Sequence, residues 1–240
     1  MPVSPRRGRV AVLCCAVLLG ACENLGTPEP ATEEATAIHG LWRLFFYVAL
    51  GVAIVVWGLV VWCTIRYRRR DDRLPAQRAT HKWLEVLYTA IPLVLVAFLF
   101  VRTLGVLDEV ETTETDPELT VDVTAFQWQW RFDYVDAGVR VTGTIEEPPV
   151  VVLPVDTPIR FLLDSPDVVH SFYVPAFLFK LDVIPGNGEA VDVRLEREGT
   201  FGGACAEFCG LLHDRMLFTV RSVSRAEFDA WLAEQREPAS

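Results

Sequence analysis

Twenty-two consecutive residues, LFFYVALGVAIVVWGLVVWCTI at positions 44–65, carry no charged side chain. A helix needs about 20 such residues to cross the hydrocarbon of a bilayer. A second apolar run, VLYTAIPLVLVAFLFV at 86–101, is flanked by Trp83, Leu84, Leu104 and Val106 and gives a second span over about 84–105. Inside lipid no water can satisfy a backbone amide, so both runs are expected to be helices. Between them RYRRRDDRLPAQRATHK (66–82) holds seven Lys/Arg against two Asp. That excess sets the loop on the cytoplasmic side and both chain ends outside. The expectation is a transmembrane helical hairpin over residues 41–107. Hydrophobic residues make up 51% of the chain. That is high for a soluble protein and low for an all-membrane one, so a water-soluble part must accompany the spans.

The N-terminus agrees with this topology. A basic MPVSPRRGR precedes a short apolar VAVLCCAVLLG, which reads as an export signal over residues 1–21. LGAC at 19–22 resembles a bacterial lipoprotein signal, with cleavage before Cys22 and lipid carried on Cys22. The alternative is an ordinary signal peptide beside an incidental cysteine. Residues 22–40 are rich in Pro, Thr and Glu and read as an extracytoplasmic tether. Cys14 and Cys15 leave with the signal and Cys63 lies in a span, so only Cys205 and Cys209 remain in the exported part. One pair does not make a disulfide scaffold.

From Gly105 onward the chain has 25 Asp/Glu against 10 Lys/Arg, a net charge of −15. LTVDVTAFQWQWRFDY (119–134), VRVTG (139–143), PIRFLL (158–163), EAVDVRL (189–195) and MLFTVRSV (216–223) alternate β-branched or aromatic residues with polar ones. Pro and Gly clusters separate them, and helices do not alternate with them. An all-β sandwich or barrel is therefore expected over residues 108–223. Ser224 followed by Glu227 forms a capping-box pattern that starts a C-terminal helix and tail over 224–240. There is no phosphate-binding glycine loop, and the basic residues serve topology rather than nucleic acid.

CAEFCGLLHDRM at 205–216 gathers Cys205, Cys209, His213 and Met216 at spacings of four, four and three. Those spacings would share a helix face, but the preceding GTFGGACAEFCG is glycine-rich, so a loop on a rigid scaffold is the better expectation. A Cys205–Cys209 disulfide would leave His213 and Met216 unexplained. Zinc takes Cys and His, yet methionine is a poor zinc ligand. A single blue-copper centre uses one thiolate, where here there are two. Two thiolates can bridge two copper ions, each of which then needs its own nitrogen ligand. His170, in DVVHSFYVPAF, is the only other histidine of the β domain.

Together these segments resemble subunit II of cytochrome c oxidase, the family whose extracytoplasmic domain carries the dinuclear copper A centre. The hairpin, FQWQW (126–130), DVVHSF, KLDVIPG and the full Cys-x-Glu-x-Cys-x3-His-x2-Met pattern carry the likeness over nearly all of the mature chain. The resemblance implies a cupredoxin-like β domain in which Cys205 and Cys209 bridge two coppers. It implies His170 and His213 as nitrogen ligands, and Met216 and the backbone carbonyl of Glu207 as weak ligands. The Glu207 side chain would reach a magnesium or manganese ion shared with subunit I, and Lys180 and Asp182 would lie near that contact. Trp128 would be the residue of electron entry, and Trp130 an ordinary buried strand aromatic. The family often has tyrosine where Gln129 stands, but that side chain should face away from Trp128. Glu85, at the cytoplasmic end of the second span, would stand at the mouth of a proton channel of subunit I.

The chain would thus be the electron-entry subunit of a proton-pumping oxidase, taking electrons from cytochrome c and passing them to haem in subunit I. Its partners would be subunits I and III, membrane lipid, and a soluble or membrane-bound c-type cytochrome. Asp167 and the acidic surface would suit a basic donor. The place would be the bacterial plasma membrane, with the soluble domain on the outer, periplasmic face. No Cys-x-x-Cys-His occurs, so no haem is expected in this chain. Three other readings are weaker. A quinol oxidase subunit II shares the architecture but lacks the ligands. A lipid-anchored copper carrier needs neither two spans nor Trp128. A structural lipoprotein would hold a Cys205–Cys209 disulfide.

Overall fold

The computed structural model describes residues 24–69, 79–112 and 116–236. The expected signal peptide, the expected lipid site at Cys22 and the middle of the basic loop lie outside the described residues. The chain forms two units, one of residues up to His39 together with those from Thr112 onward, the other of Gly40–Glu111.

The second unit consists of helical segments. Helix α1 spans Glu33–Arg66, of which the part from Gly40 belongs to this unit, and α2 spans Lys82–Glu111. Their apolar side chains, among them Ile54, Trp57, Leu93 and Val94, are exposed, as suits helices whose apolar surface faces lipid. Thr64, Thr89 and Thr103 each return a hydroxyl hydrogen bond to the carbonyl four residues earlier, which satisfies a polar group within its own helix. Pro92 lies inside α2, a placement that transmembrane helices tolerate. Both helices are longer than the expected spans.

The first unit is a ten-stranded sandwich. Its strands are β1 (Leu119–Phe126), β2 (Gln129–Tyr134), β3 (Val139–Thr142), β4 (Val150–Pro154), β5 (Pro158–Asp164), β6 (His170–Val174), β7 (Phe179–Val183), β8 (Glu189–Arg194), β9 (Gly199–Cys205) and β10 (Leu217–Val223). One sheet has the order β3-β2-β1-β5-β8, the other β4-β10-β9-β6-β7. The β1–β5 and β4–β10 pairs are parallel and the other pairs antiparallel. Strict alternation of buried and half-buried residues along β1 and β2 points Val121, Val123, Trp130 and Phe132 into the space between the sheets. There Phe132 and Trp130 meet Phe218 of β10 (ring centroids 5.6 and 5.1 Å), and Phe161 meets Phe172 of β6 at 5.4 Å. Arg160 and Asp192, directly opposite on β5 and β8, form a bidentate pair with two bonds of 2.7 Å. Helix α3 (Arg225–Arg236) starts at Ser224, whose hydroxyl accepts the Glu227 N–H at 3.3 Å, and packs Phe228 and Trp231 on Tyr134.

Two expectations are corrected. The run 119–134 is two strands, because the chain reverses at Gln127–Trp128 and Phe126 pairs with Gln129. The segment read as a free tether is built into the sandwich from about residue 29. Ala31, Thr32 and Ala35 are fully buried. Thr32 bridges Leu195, the Ala31 N–H donates to the Ala176 carbonyl at 2.9 Å, and Arg197 binds the carbonyls of Pro30 (2.9 Å) and Glu29 (3.1 Å). Small residues at 31, 32 and 35 let the segment lie close against the sheet edge, and α1 starts at Glu33, eleven residues before the apolar run.

Candidate metal centre

His170 is the first residue of β6 and Cys205 the last of β9, and these strands are neighbours in one sheet. After Cys205 the chain leaves the sheet in a loop, makes one short turn at His213–Arg215, and re-enters as β10 directly after Met216. Both ends of this loop are fixed. The Cys205 N–H donates to the Met216 carbonyl and the Ala206 N–H to the Ser171 carbonyl, each at 3.0 Å. The loop therefore cannot open without breaking sheet hydrogen bonds.

The donors converge. The two thiol sulfurs are 3.8 Å apart and both cysteines are free. His170 Nδ1 lies 3.8 Å from Cys205 Sγ, His213 Nδ1 lies 3.6 Å from Cys209 Sγ, and Met216 Sδ lies 3.8 Å from Cys209 Sγ. The Glu207 carbonyl is 3.2 Å from Cys205 Sγ. Metal–sulfur and metal–nitrogen bonds of about 2.0–2.3 Å set tetrahedral edges of roughly 3.6 Å, which these separations match. His170, Cys205 and Cys209 have ligand atoms all within 4.8 Å of one another, and His213 is outside that group. The second imidazole meets the cluster at Cys209, an arrangement that suits two ions sharing thiolates better than one ion. His170 and Met216 have no exposed surface, and the two cysteines are nearly as buried.

Asp167 orients the first imidazole. Its Oδ1 accepts from His170 Nε2 at 2.9 Å, which leaves Nδ1 as the lone-pair nitrogen facing Cys205. Burial pushes the Asp167 carboxyl up, but hydrogen bonds from the Gln127 N–H, His170 and the Val168 N–H outweigh it and lower its pKa. At Cys205, burial is likewise overcome by its hydrogen-bonding contacts with His170 and with the backbone of Glu207 and Ser171, which bring the thiol down to about 6. Burial and the charge of its neighbour push the Cys209 thiol up to about 12. Two buried thiolates side by side thus need positive charge between them, which is what metal ions provide.

The other predicted residues fall in three places. Trp128 lies in the β1–β2 turn, with its indole N–H 3.3 Å from the Cys209 carbonyl. Glu207 is half-exposed and its carboxylate is 3.6 Å from Lys180 Nζ, which also donates to Asp182 at 2.8 Å. Glu85 belongs to the helical unit, where its carboxylate accepts the His81 N–H at 2.9 Å and caps the start of α2. Two contributors were missed in the sequence. Trp130 does more than fill the core: its indole N–H points at the Met216 carbonyl at 3.4 Å, and its ring meets His170 edge-on. Gln127 bonds both the metal loop and Asp167. A glutamine before a tryptophan carries no signal of its own.

Comparison with known proteins gives these contacts their context. The model of the cytochrome c oxidase subunit II transmembrane domain matches residues 21–106, and that of the subunit's periplasmic domain matches 137–223. The probable cytochrome c oxidase subunit 2 of Nocardia farcinica is 33% identical, over 98% of this chain and 84% of that protein. The chain belongs to the cytochrome c oxidase subunit II family. Subunit 2 of Mycobacterium tuberculosis is 30% identical over 95% of the chain and 79% of its own length. The probable subunit 2 of Streptomyces avermitilis is 36% identical over 88% and 79%. The crystal structure of the periplasmic domain of oxidase subunit II from Bradyrhizobium japonicum is 30% identical, covers 50% of this chain and 95% of that one, and superposes with a TM-score of 0.47. As a subunit II, the chain is part of a cytochrome c oxidase, its β domain is the copper A electron-entry domain, and the buried His–Cys–Cys cluster fits the copper site. All six donor residues lie within the stretch matched by the periplasmic-domain model, whereas Trp128 lies between the two matched stretches.

Proposed function

We propose that this subunit II receives electrons from cytochrome c at Trp128 and holds copper A through His170, Cys205, the Glu207 carbonyl, Cys209, His213 and Met216. The observation that carries this reading is the convergence of all six donors at 3.2–3.8 Å on a loop pinned at both ends. The copper pair, when bound, supplies a one-electron couple between the donor and the haem of subunit I. Every other part is played by the chain. Cys205 and Cys209 would offer two thiolates to the pair, held 3.8 Å apart on a fixed loop. Asp167 keeps His170 in the tautomer that presents Nδ1. The Cys205–Met216 and Ala206–Ser171 bonds restrict rearrangement of the loop, and the aromatic layer of Trp130, Phe172 and Phe218 excludes water beneath it.

The Glu207 carboxylate, beside Lys180, is assigned to a magnesium or manganese ion at the subunit I contact. The β domain is assigned to the outer, periplasmic face, Cys22 to a lipid anchor, and Glu85 to the proton-channel mouth. The acidic surface fits a basic c-type cytochrome as donor. The test is metal analysis and EPR of the purified oxidase. Two coppers per subunit II and a signal shared by two copper nuclei are expected. One copper, zinc, or no metal with an oxidised Cys205–Cys209 pair would refute the assignment. Mass spectrometry of the mature N-terminus checks Cys22, which should carry diacylglycerol.

A further inference from the structure

Gln127 precedes Trp128 in the β1–β2 turn, and its side chain is exposed. An exposed glutamine ordinarily stays mobile because fixing it costs rotamer entropy. Here its side-chain N–H donor and its backbone N–H are both engaged. Side-chain Nε2 donates to the Cys209 carbonyl at 2.8 Å, the same oxygen that accepts the Trp128 indole N–H at 3.3 Å. A carbonyl has two lone pairs, so both donors fit, and the shorter bond is the anchor. The backbone N–H of Gln127 donates to Asp167 Oδ2 at 2.8 Å, while Oδ1 of that carboxylate holds His170.

The facing loop is shaped for this contact. Gly210, next to Cys209, has φ of +122°, and a Cβ there would sit 3.2 Å from Gln127 Nε2 and 3.2 Å from the Trp128 indole nitrogen. Its missing side chain leaves room for the two donors to reach the Cys209 carbonyl.

We propose that Gln127 is a positioning residue for electron entry: it fastens the Trp128 indole to the Cys209 carbonyl and, through Asp167, ties the same turn to His170. The inference rests on the reading of Trp128 as the entry residue. Without the Nε2 bond a half-exposed indole is held by one long hydrogen bond and can swing away from the cysteine loop. Transfer rates fall steeply when reacting groups are displaced by even an ångström.

The test uses the assembled oxidase with Gln127→Met, which keeps length and backbone N–H but loses the donor. Gln127→Glu, which sets an acceptor against the Cys209 carbonyl, and Trp128→Ala run beside it. Each is measured for copper content, EPR, KM for cytochrome c and the rate of copper reduction within the donor complex. Hydrogen exchange of the 206–212 segment is followed in the copper-free full-length chain. Both Gln127 variants should keep two coppers, an unchanged EPR signal and an unchanged KM. They should reduce copper slower by on the order of tenfold, and the 206–212 amides should exchange faster. A double variant Gln127→Met/Trp128→Ala should be no slower than Trp128→Ala alone, as expected of residues acting as one unit. A raised KM at unchanged rate would make Gln127 a docking residue and overturn the proposal. Loss of copper would make it a structural brace, with the same result. An unchanged rate in the Gln127 variants while Trp128→Ala is slow would overturn it alone. If Trp128→Ala is itself as fast as the parent, the reading of Trp128 fails first and this proposal falls with it.

Discussion

Cys209 sits among Cys205 Sγ, His213 Nδ1 and Met216 Sδ, all 3.6–3.8 Å away. Cys209→Ser replaces a soft bridging thiolate with a hard hydroxyl. It should abolish the EPR signal shared by two copper nuclei and reduce copper content to at most one ion per subunit. Asp167 acts one bond further out. Asp167→Asn keeps the size but weakens the acceptor that fixes the His170 tautomer, so copper affinity should fall by about 10–100-fold in a chelator competition, the usual cost of losing such a partner. Trp128→Ala removes no donor atom of the cluster, only the indole bond to the Cys209 carbonyl. It should leave the copper spectrum intact and slow electron entry, as seen in stopped-flow reduction. The two residues therefore separate metal binding from metal reduction.

Strand β9 and the segment around Ala31 decide how elements fit. Gly203 of β9 faces Phe218 of β10, and a Cβ at 203 would run into that ring. Gly203→Ala should therefore lower stability by about 1–3 kcal/mol, visible as a lower Tm without change in copper stoichiometry. The docked segment before α1 brings Glu34 under cover of the sandwich, where burial raises its pKa against the opposing pull of hydrogen bonds from its own backbone, Thr32 and Arg194. A carboxyl with a raised folded-state pKa binds its proton more tightly when folded. Stability is then greatest below its unfolded value of 4.5 and declines as pH rises through 4.5 to the folded value. Glu34→Gln should raise Tm at pH 7 and flatten this part of the pH profile, measured by thermal melts across pH 4–7.

At the scale of the whole molecule, charge and topology act together. A net −15 from Gly105 onward should make the second-order rate with a cationic cytochrome c fall by about tenfold or more between low salt and several hundred millimolar, while the rate inside the complex stays constant. Much of this architecture was legible from residue order. Charge-free runs long enough for a bilayer have only one solution in lipid, a helix. The alternation in β1, β5 and β10 was plain because buried residues alternate there with half-buried or exposed ones. Strands β4, β7 and β9 were hidden, since VVVLP lacks alternation and GTFGGAC looks like loop. The composition of the donor set was likewise in the sequence, because Cys205, Cys209, His213 and Met216 share one short segment. That His170 Nδ1 stands 3.8 Å from Cys205 Sγ was decided only by tertiary structure, since a separation of 35 positions leaves that pairing to the adjacency of β6 and β9. The hooks of Gln127 and Trp130 and the docking of Ala31 depend on approach between distant backbones. Local sequence can prepare such an approach with a glycine or an alanine, but the packing of the two sheets brings the partners together.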